Sequence, residues 1–218
     1  GVAGLALTGE YDFLDGVVLT NGCEHMRRTF EIWRDQVEPP FVTMLSVPHR
    51  RDGDNHFEWY RDEITKLTDE IGKKYGYLPS KESLRRAVMT YNRYRKLMQE
   101  LYGLRSIEHP KLSGVEAMQI AQAGYSMPKE AFNERLATAI QELNERPGIT
   151  DARARLMVGG SYMDDPWFID IIESTGAVVV TDFLCSGRKY IEGIVDETIG
   201  PVEAIARRYF LRDPSCPR

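Results

Sequence analysis

Asp15-Gly16-Val17-Val18-Leu19-Thr20-Asn21-Gly22-Cys23-Glu24-His25-Met26-Arg27-Arg28 is the stretch on which the fold turns. Gly16 to Thr20 is a short apolar, β-branched run between turn residues, the pattern of a buried strand. Asn21-Gly22 breaks the run. Met26, Phe30 and Trp33 then fall on one side of a helix with charges on the other. The Cys23 thiol therefore stands where a strand ends and a helix begins. The unpaired N–H groups and partial positive charge of a helix start favour a thiolate there, the form that attacks electrophiles or binds metal.

The same setting recurs far along the chain. Ala177-Val178-Val179-Val180-Thr181 is a second buried-strand run. It leads through Asp182-Phe183-Leu184 to Cys185, then Ser186-Gly187 and a helix starting near Arg188. The carboxyl ends of parallel strands are where open α/β sheets bind ligands. A single free cysteine is more often a small buried hydrophobe. Two in matching settings point to a shared task, with both sulfurs expected to face one gap between lobes.

Working outward from Cys23, a helix over about 24–37 is stopped by Pro39-Pro40. Phe41-Val42-Thr43-Met44-Leu45 is the next strand. Strand, helix and strand at this spacing predict a parallel crossover, which puts the exit loop Ser46–Asp54, with His49, on the same sheet edge as Cys23. The middle of the chain reads as helical. Tyr60, Ile64, Leu67, Ile71 and Tyr75 recur at helical spacing. Ser80 caps a long helix carrying Leu84, Ala87 or Val88, Tyr91, Met98 and Leu101. Ser113-Gly114-Val115-Glu116 has capping-box spacing, with Gly124 closing that helix. Pro128 opens a helix bearing Phe132, Leu136, Ile140 and Leu143. The Arg and Lys residues among these helices read as a solvated face. A strand at Arg155–Gly159, a helix opened by Asp164-Asp165-Pro166 and a final helix from Pro201 complete the pattern. The expected fold class is α/β. It comprises two parallel-sheet lobes, the first truncated, joined by a helical segment: 1–56, 57–150 and 151–218, the last also cut short. A cleft between such lobes is a usual ligand site.

Composition narrows the function. The chain has 218 residues, 42% hydrophobic and 28% charged, with net charge −5. That is ordinary for a globular protein and speaks against a nucleic-acid-binding surface. No apolar run reaches membrane-spanning length and no signal peptide opens the chain, so no membrane role is expected. Three well-separated cysteines do not make a disulfide framework and fit a reducing cytoplasm. The chain opens in what reads as a helix tail, Val2–Leu7, and stops just after Pro214-Ser215-Cys216-Pro217. It is therefore read as a piece of a longer protein.

Two converging thiolates could bind zinc, hold an iron–sulfur cluster or form a redox pair. Zinc and a thioredoxin-like pair both lack their C-x-x-C spacing, and the four histidines show no ligand pattern. A cluster tolerates long sequence gaps between its cysteines. Cys216 is a further candidate ligand, although a tail cysteine is the commoner case. His49 is a candidate acid, base or substrate contact. Ser161 at another strand exit and Gly187 beside Cys185 are candidate substrate contacts; a helix cap at Asp164 or Asp165 and a permissive turn are the bland explanations. There is no Walker A, G-x-G-x-x-G or G-x-S-x-G motif, so direct nucleotide binding has no support.

Taken together, Asn21-Gly22-Cys23-Glu24, Ser113-Gly114-Val115-Glu116-Ala117, Met127-Pro128-Lys129-Glu130, Gly160-Ser161 with Asp164-Asp165-Pro166, Asp182-Phe183-Leu184-Cys185-Ser186-Gly187-Arg188 and Cys216-Pro217 make a fairly specific set. The chain resembles, over nearly all its length, the 2-hydroxyacyl-CoA dehydratase / benzoyl-CoA reductase subunit family. The resemblance implies α/β lobes with a helical segment and a [4Fe–4S] cluster held by three cysteines. Two of these match Cys23 and Cys185; the third falls upstream of Gly1, so this stretch supplies an incomplete set. It also implies a homologous second subunit, an ATP-dependent iron–sulfur activator and an acyl-CoA or aromatic acyl-CoA substrate. An electron is delivered to the thioester, and either a hydroxyl group is expelled or an aromatic ring is reduced. Phe13-Leu14-Asp15-Gly16, Arg27-Arg28 and Ser46-Val47-Pro48-His49 look closer to the benzoyl-CoA reductase branch. A non-catalytic iron–sulfur electron carrier and a two-lobed small-molecule binding protein with inert cysteines are the competing readings.

Overall fold

Glycine, proline and helix-capping residues punctuate the chain, and the elements fall between them. The structure, a computed structural model, describes residues 1–50 and 52–211; Cys216 lies outside the described residues. The chain forms two compact units. One comprises Gly1–Arg85 together with the segment from Val195 onward, the other Arg86–Ile194. Each contains a two-stranded parallel sheet, so the α/β class expected from the sequence is present, with many helices. Among the described residues, no helix is long and apolar enough to cross a membrane.

In the first unit, α1 (Val2–Leu7) precedes β1 (Val17–Thr20), α2 (Glu24–Ile32), β2 (Val42–Leu45) and α3 (Asp54–Tyr75). The strands β1 and β2 run parallel, from Val17 beside Val42 to Thr20 beside Leu45. Ala6, Leu19 and Trp33 form the buried centre on one side, packed by Met26 and Phe30 of α2. The helix expected over 24–37 stays α-helical only to Ile32. Trp33–Val37 form a wider π turn, closed by the Glu38 N–H on the Trp33 carbonyl at 2.9 Å. Glu38 is left-handed at φ 50°, which ends the helix before Pro39-Pro40; such turns suit helix C-termini. α9 (Pro201–Leu211) packs on α3 through Tyr60, Ala206 and Phe210.

The second unit is built around helices. α4 (Lys81–Ser106) begins within the first unit and supplies a buried stripe at Val88, Asn92, Arg95, Met98, Leu101, Tyr102 and Arg105. The expectation that its arginines form a solvated face fails at Arg95 and Arg105, which are 4% and 1% exposed. Likewise Lys129 is buried, its ammonium over the rings of Tyr91 and Tyr94 and donating to the Gly124 carbonyl. Burial holds the Lys129 ammonium below the usual lysine range. Tyr91, expected inside, is exposed, while Tyr94 takes the buried place.

α5 (Gly114–Ser126) starts with the capping box read from the sequence. The Ser113 hydroxyl accepts the Glu116 N–H at 3.1 Å, and the Glu116 carboxylate accepts the Ser113 N–H at 2.9 Å. Ser113→Ala is expected to cost about 1 kcal/mol in denaturant unfolding. Gly124 does not close this helix, which runs on to Ser126. Its role is close approach, since a Cβ there would lie 3.0 Å from Tyr94 and 3.1 Å from Phe132. α6 (Lys129–Glu145) buries Phe132, Leu136, Ile140 and Leu143 against α4 and α5, as its spacing predicts. β3 (Ala154–Gly159), α7 (Trp167–Ser174), β4 (Ala177–Phe183) and the short α8 (Arg188–Ile191) complete the unit. β3 and β4 are parallel, with an irregularity between Leu156 and Met157.

Candidate functional site

Parallel pairing in register brings the carboxyl ends of β1 and β2 side by side, and the first candidate thiol lies just beyond them. Asn21 pins this edge: its side-chain oxygen accepts the Val47 N–H at 2.6 Å, tying the two exit loops together. Cys23 follows in extended conformation as the N-cap of α2, and its carbonyl accepts the Arg27 N–H at 3.2 Å. Its thiol is half-buried, lies outside any disulfide and makes no capping hydrogen bond. Arg28 is engaged by Glu24 and Glu31, both at 2.7 Å, so that flank is an ion-paired helix surface. His49 lies on the β2 exit loop, exposed to solvent.

The second candidate thiol sits in the turn between β4 and α8. Cys185 is half-buried, and its N–H donates to the Ser161 carbonyl at 3.4 Å. The neighbouring Ser186 hydroxyl donates to the Met163 carbonyl at 3.2 Å, and the Tyr125 hydroxyl donates to the Ser186 carbonyl at 2.7 Å. The exit loops of β3 and β4 are thus laced together, which brings Ser161, Cys185 and Gly187 into one loop cluster. Asp165 accepts the Trp167 N–H at 2.9 Å at the start of α7, which agrees with a capping role.

Beneath this turn lies a charged cluster. The Asp182 carboxylate accepts from the Tyr102 hydroxyl at 2.7 Å, from Arg105 at 3.2 Å and from the Arg188 N–H at 2.9 Å. Arg105 also donates to the Val179 carbonyl at 2.9 Å, and its guanidinium lies 4.7 Å from the centre of the Tyr102 ring. Burial, then the adjacent carboxylate, push the Tyr102 phenol well above its ordinary range, so it remains a donor at any physiological pH. A cavity of about 290 Å³ opens beside the turn, lined by Gln99, Tyr102, Gly103, Ser106, Arg188 and Ile191 among others.

Reading the residues alone misses Tyr102, Arg105 and Asp182. Their sequence signal is faint: an aspartate at the end of an otherwise apolar strand, and a tyrosine and arginine three apart on a helix face. Gly187 has a plain local reason. A Cβ there would lie 1.7 Å from Asp182, so only glycine lets the carboxylate come this close.

Whether these residues suit an iron–sulfur cluster depends on the donors. Among the described residues, no group of three or more His, Cys, Asp or Glu side chains gathers as a metal site. Among the described residues, each unit offers one half-buried thiol on a strand-exit loop. Partly shielded thiols are the kind of donor that iron–sulfur clusters take, and each of the two, taken by itself, has that chemistry.

The comparisons with known proteins agree on one group. The 2-hydroxyglutaryl-CoA dehydratase, D-component, family profile matches residues 1–218. A benzoyl-CoA reductase subunit of Thauera aromatica is 24% identical over 204 residues, covering 93% of this chain and 53% of that protein. The (R)-phenyllactyl-CoA dehydratase beta subunit of Clostridium sporogenes is 22% identical over 210 residues, covering 96% of this chain and 56% of that protein. The chain spans about half the length of the curated relatives it matches.

Proposed function

The chain belongs to the 2-hydroxyglutaryl-CoA dehydratase, D-component, family, and from that premise we propose that it is part of the iron–sulfur subunit of a benzoyl-CoA reductase-like enzyme acting on an acyl-CoA thioester in the cytoplasm. The observation that carries this reading is the repeated setting of two thiols. Cys23 and Cys185 each follow a parallel strand, each on an exit loop pinned by hydrogen bonds. They are the proposed ligands of a [4Fe–4S] cluster, with the remaining ligand supplied from elsewhere. When bound, such a cluster would supply low-potential electrons to the thioester. The protein's part is to hold the sulfurs, shield them and orient the substrate.

His49, exposed on the β2 exit loop, is the proposed acid–base or substrate-contacting group. Ser161 is the proposed substrate contact on the second loop cluster. A homologous second subunit and an ATP-dependent iron–sulfur activator are the proposed partners. A second reading, (R)-2-hydroxyacyl-CoA dehydratase, is favoured by the similarity to the phenyllactyl-CoA dehydratase protein, whose 22% identity nearly equals the 24% of the reductase relative.

The test is iron and acid-labile sulfide analysis of the product of the complete gene, purified without oxygen. Cys23→Ser and Cys185→Ser are each expected to lose most of the bound iron and the brown absorbance. Full iron retention in both variants would sink the cluster reading. Turnover of an aromatic acyl-CoA with a strong reductant, against loss of hydroxyl from a 2-hydroxyacyl-CoA, separates the two enzyme readings.

A further inference from the structure

We propose that Tyr102, Arg105 and Asp182 are positioning residues for Cys185, a buried clamp that fixes the cysteine-bearing turn to the rigid helix α4. The proposal takes Cys185 as the working thiol from the reading above, but its test needs no iron.

The clamp is built on one carboxylate. Asp182 is near the end of β4, three residues before Cys185, and its Oδ1 accepts the N–H of Arg188, three residues after it. A single side chain therefore closes the loop on both sides of the cysteine. The other oxygen, Oδ2, is held by the Tyr102 hydroxyl and the Arg105 guanidinium, which project from the same face of α4 one turn apart. α4 is 26 residues long and carries Tyr94, Met98 and Leu101 of the second unit's core, so the carboxylate is referenced to that buried core.

Two features exceed what a simple structural ion pair needs. An apolar pair of similar volume generally stabilises a fold as well as a buried salt bridge does. Hydrophobes, however, could not also accept the Arg188 N–H. The second feature is Gly187, where a Cβ would fall 1.7 Å from Oδ1. The backbone has been brought against the carboxylate at a point where any side chain would force that carboxylate to move, two residues from the thiol.

The test compares Cys185 with Cys23 in the same molecule. Cys23 lies in the other unit and is half-buried too, so it reports any general loosening. Tyr102→Phe and Gly187→Ala would be made in the full chain, reduced and metal-free. Alkylation by iodoacetamide would be followed by cysteine-resolved mass spectrometry as a pH profile. Loss of one hydrogen bond to a charged group is expected to raise the Cys185 rate about tenfold where local opening controls access. Gly187→Ala is expected to act in the same direction, while the Cys23 profile stays that of the parent. A Cys185 profile superimposable on the parent's in either variant overturns the proposal, as does a parallel rise at both cysteines. Loss of the cluster reading through iron retention would leave this result unaffected, and the two inferences therefore fail separately.

Discussion

Arg105→Ala is expected to destabilise the second unit by about 3–5 kcal/mol, the range for removing one partner of a buried ion pair. The pair is deeply buried, with side-chain exposures of 2% for Arg105 and 8% for Asp182. The substitution removes the cation facing Asp182 and the donor to the Val179 carbonyl, and leaves the carboxylate with Tyr102 and the Arg188 N–H alone. It also empties the volume of one of the largest fully buried side chains. Urea unfolding measures the loss, and hydrogen exchange places it in the second unit. The double variant Arg105→Met with Asp182→Leu is expected to cost less than the sum of the two single changes, because no charge is then stranded. Strict additivity would show that the two side chains are not coupled.

Glu173→Ala is expected to cost about 3 kcal/mol, from hydrogen bonds to a charged acceptor that the backbone cannot replace. The Glu173 carboxylate accepts the N–H groups of Gly114 at 2.7 Å, Val115 at 3.3 Å and Val179 at 2.9 Å. The first two are donors at the start of α5, where a negative charge is also favoured by the helix dipole. The third belongs to β4, so one side chain joins helix to sheet. Gly114 allows the approach, since a Cβ there would meet Val179 at 2.7 Å and Ile169 at 2.9 Å. Denaturant unfolding gives the magnitude. Faster exchange at the Gly114, Val115 and Val179 amides gives the location; unchanged protection at all three would refute the role. Glu173→Gln keeps one good acceptor and is expected to lose less.

Much of the local structure is legible in the sequence because its causes are local. The β-branched runs before Cys23 and Cys185, the Ser113–Glu116 capping box and the spacing of Phe132, Leu136, Ile140 and Leu143 each act within a few residues. The strand–cysteine settings are likewise readable, and the family resemblance rests on them together with the Ser113–Ala117, Met127–Glu130, Gly160–Pro166 and Cys216-Pro217 motifs. Arg95, Arg105 and Lys129 read wrongly as a solvated face because their helical phase is compatible with either side. Only their partners decide, and Asp182 is 77 residues from Arg105. Gly124 and Gly187 look like turn residues, yet each is there because a side chain lies against its backbone, Tyr94 and Phe132 at Gly124 and Asp182 at Gly187.

By itself, the sequence determined that this protein is α/β, where its thiols fall relative to strands and helices, and the family to which it belongs. Those follow from short-range periodicity, capping chemistry and recognisable runs of residues. Tertiary structure alone decided which charges are buried, which glycines face a side chain, and what anchors the Cys185 turn. These depend on atoms brought within about 3 Å from remote parts of the chain, the range over which hydrogen bonds act. No pattern along the chain encodes that proximity.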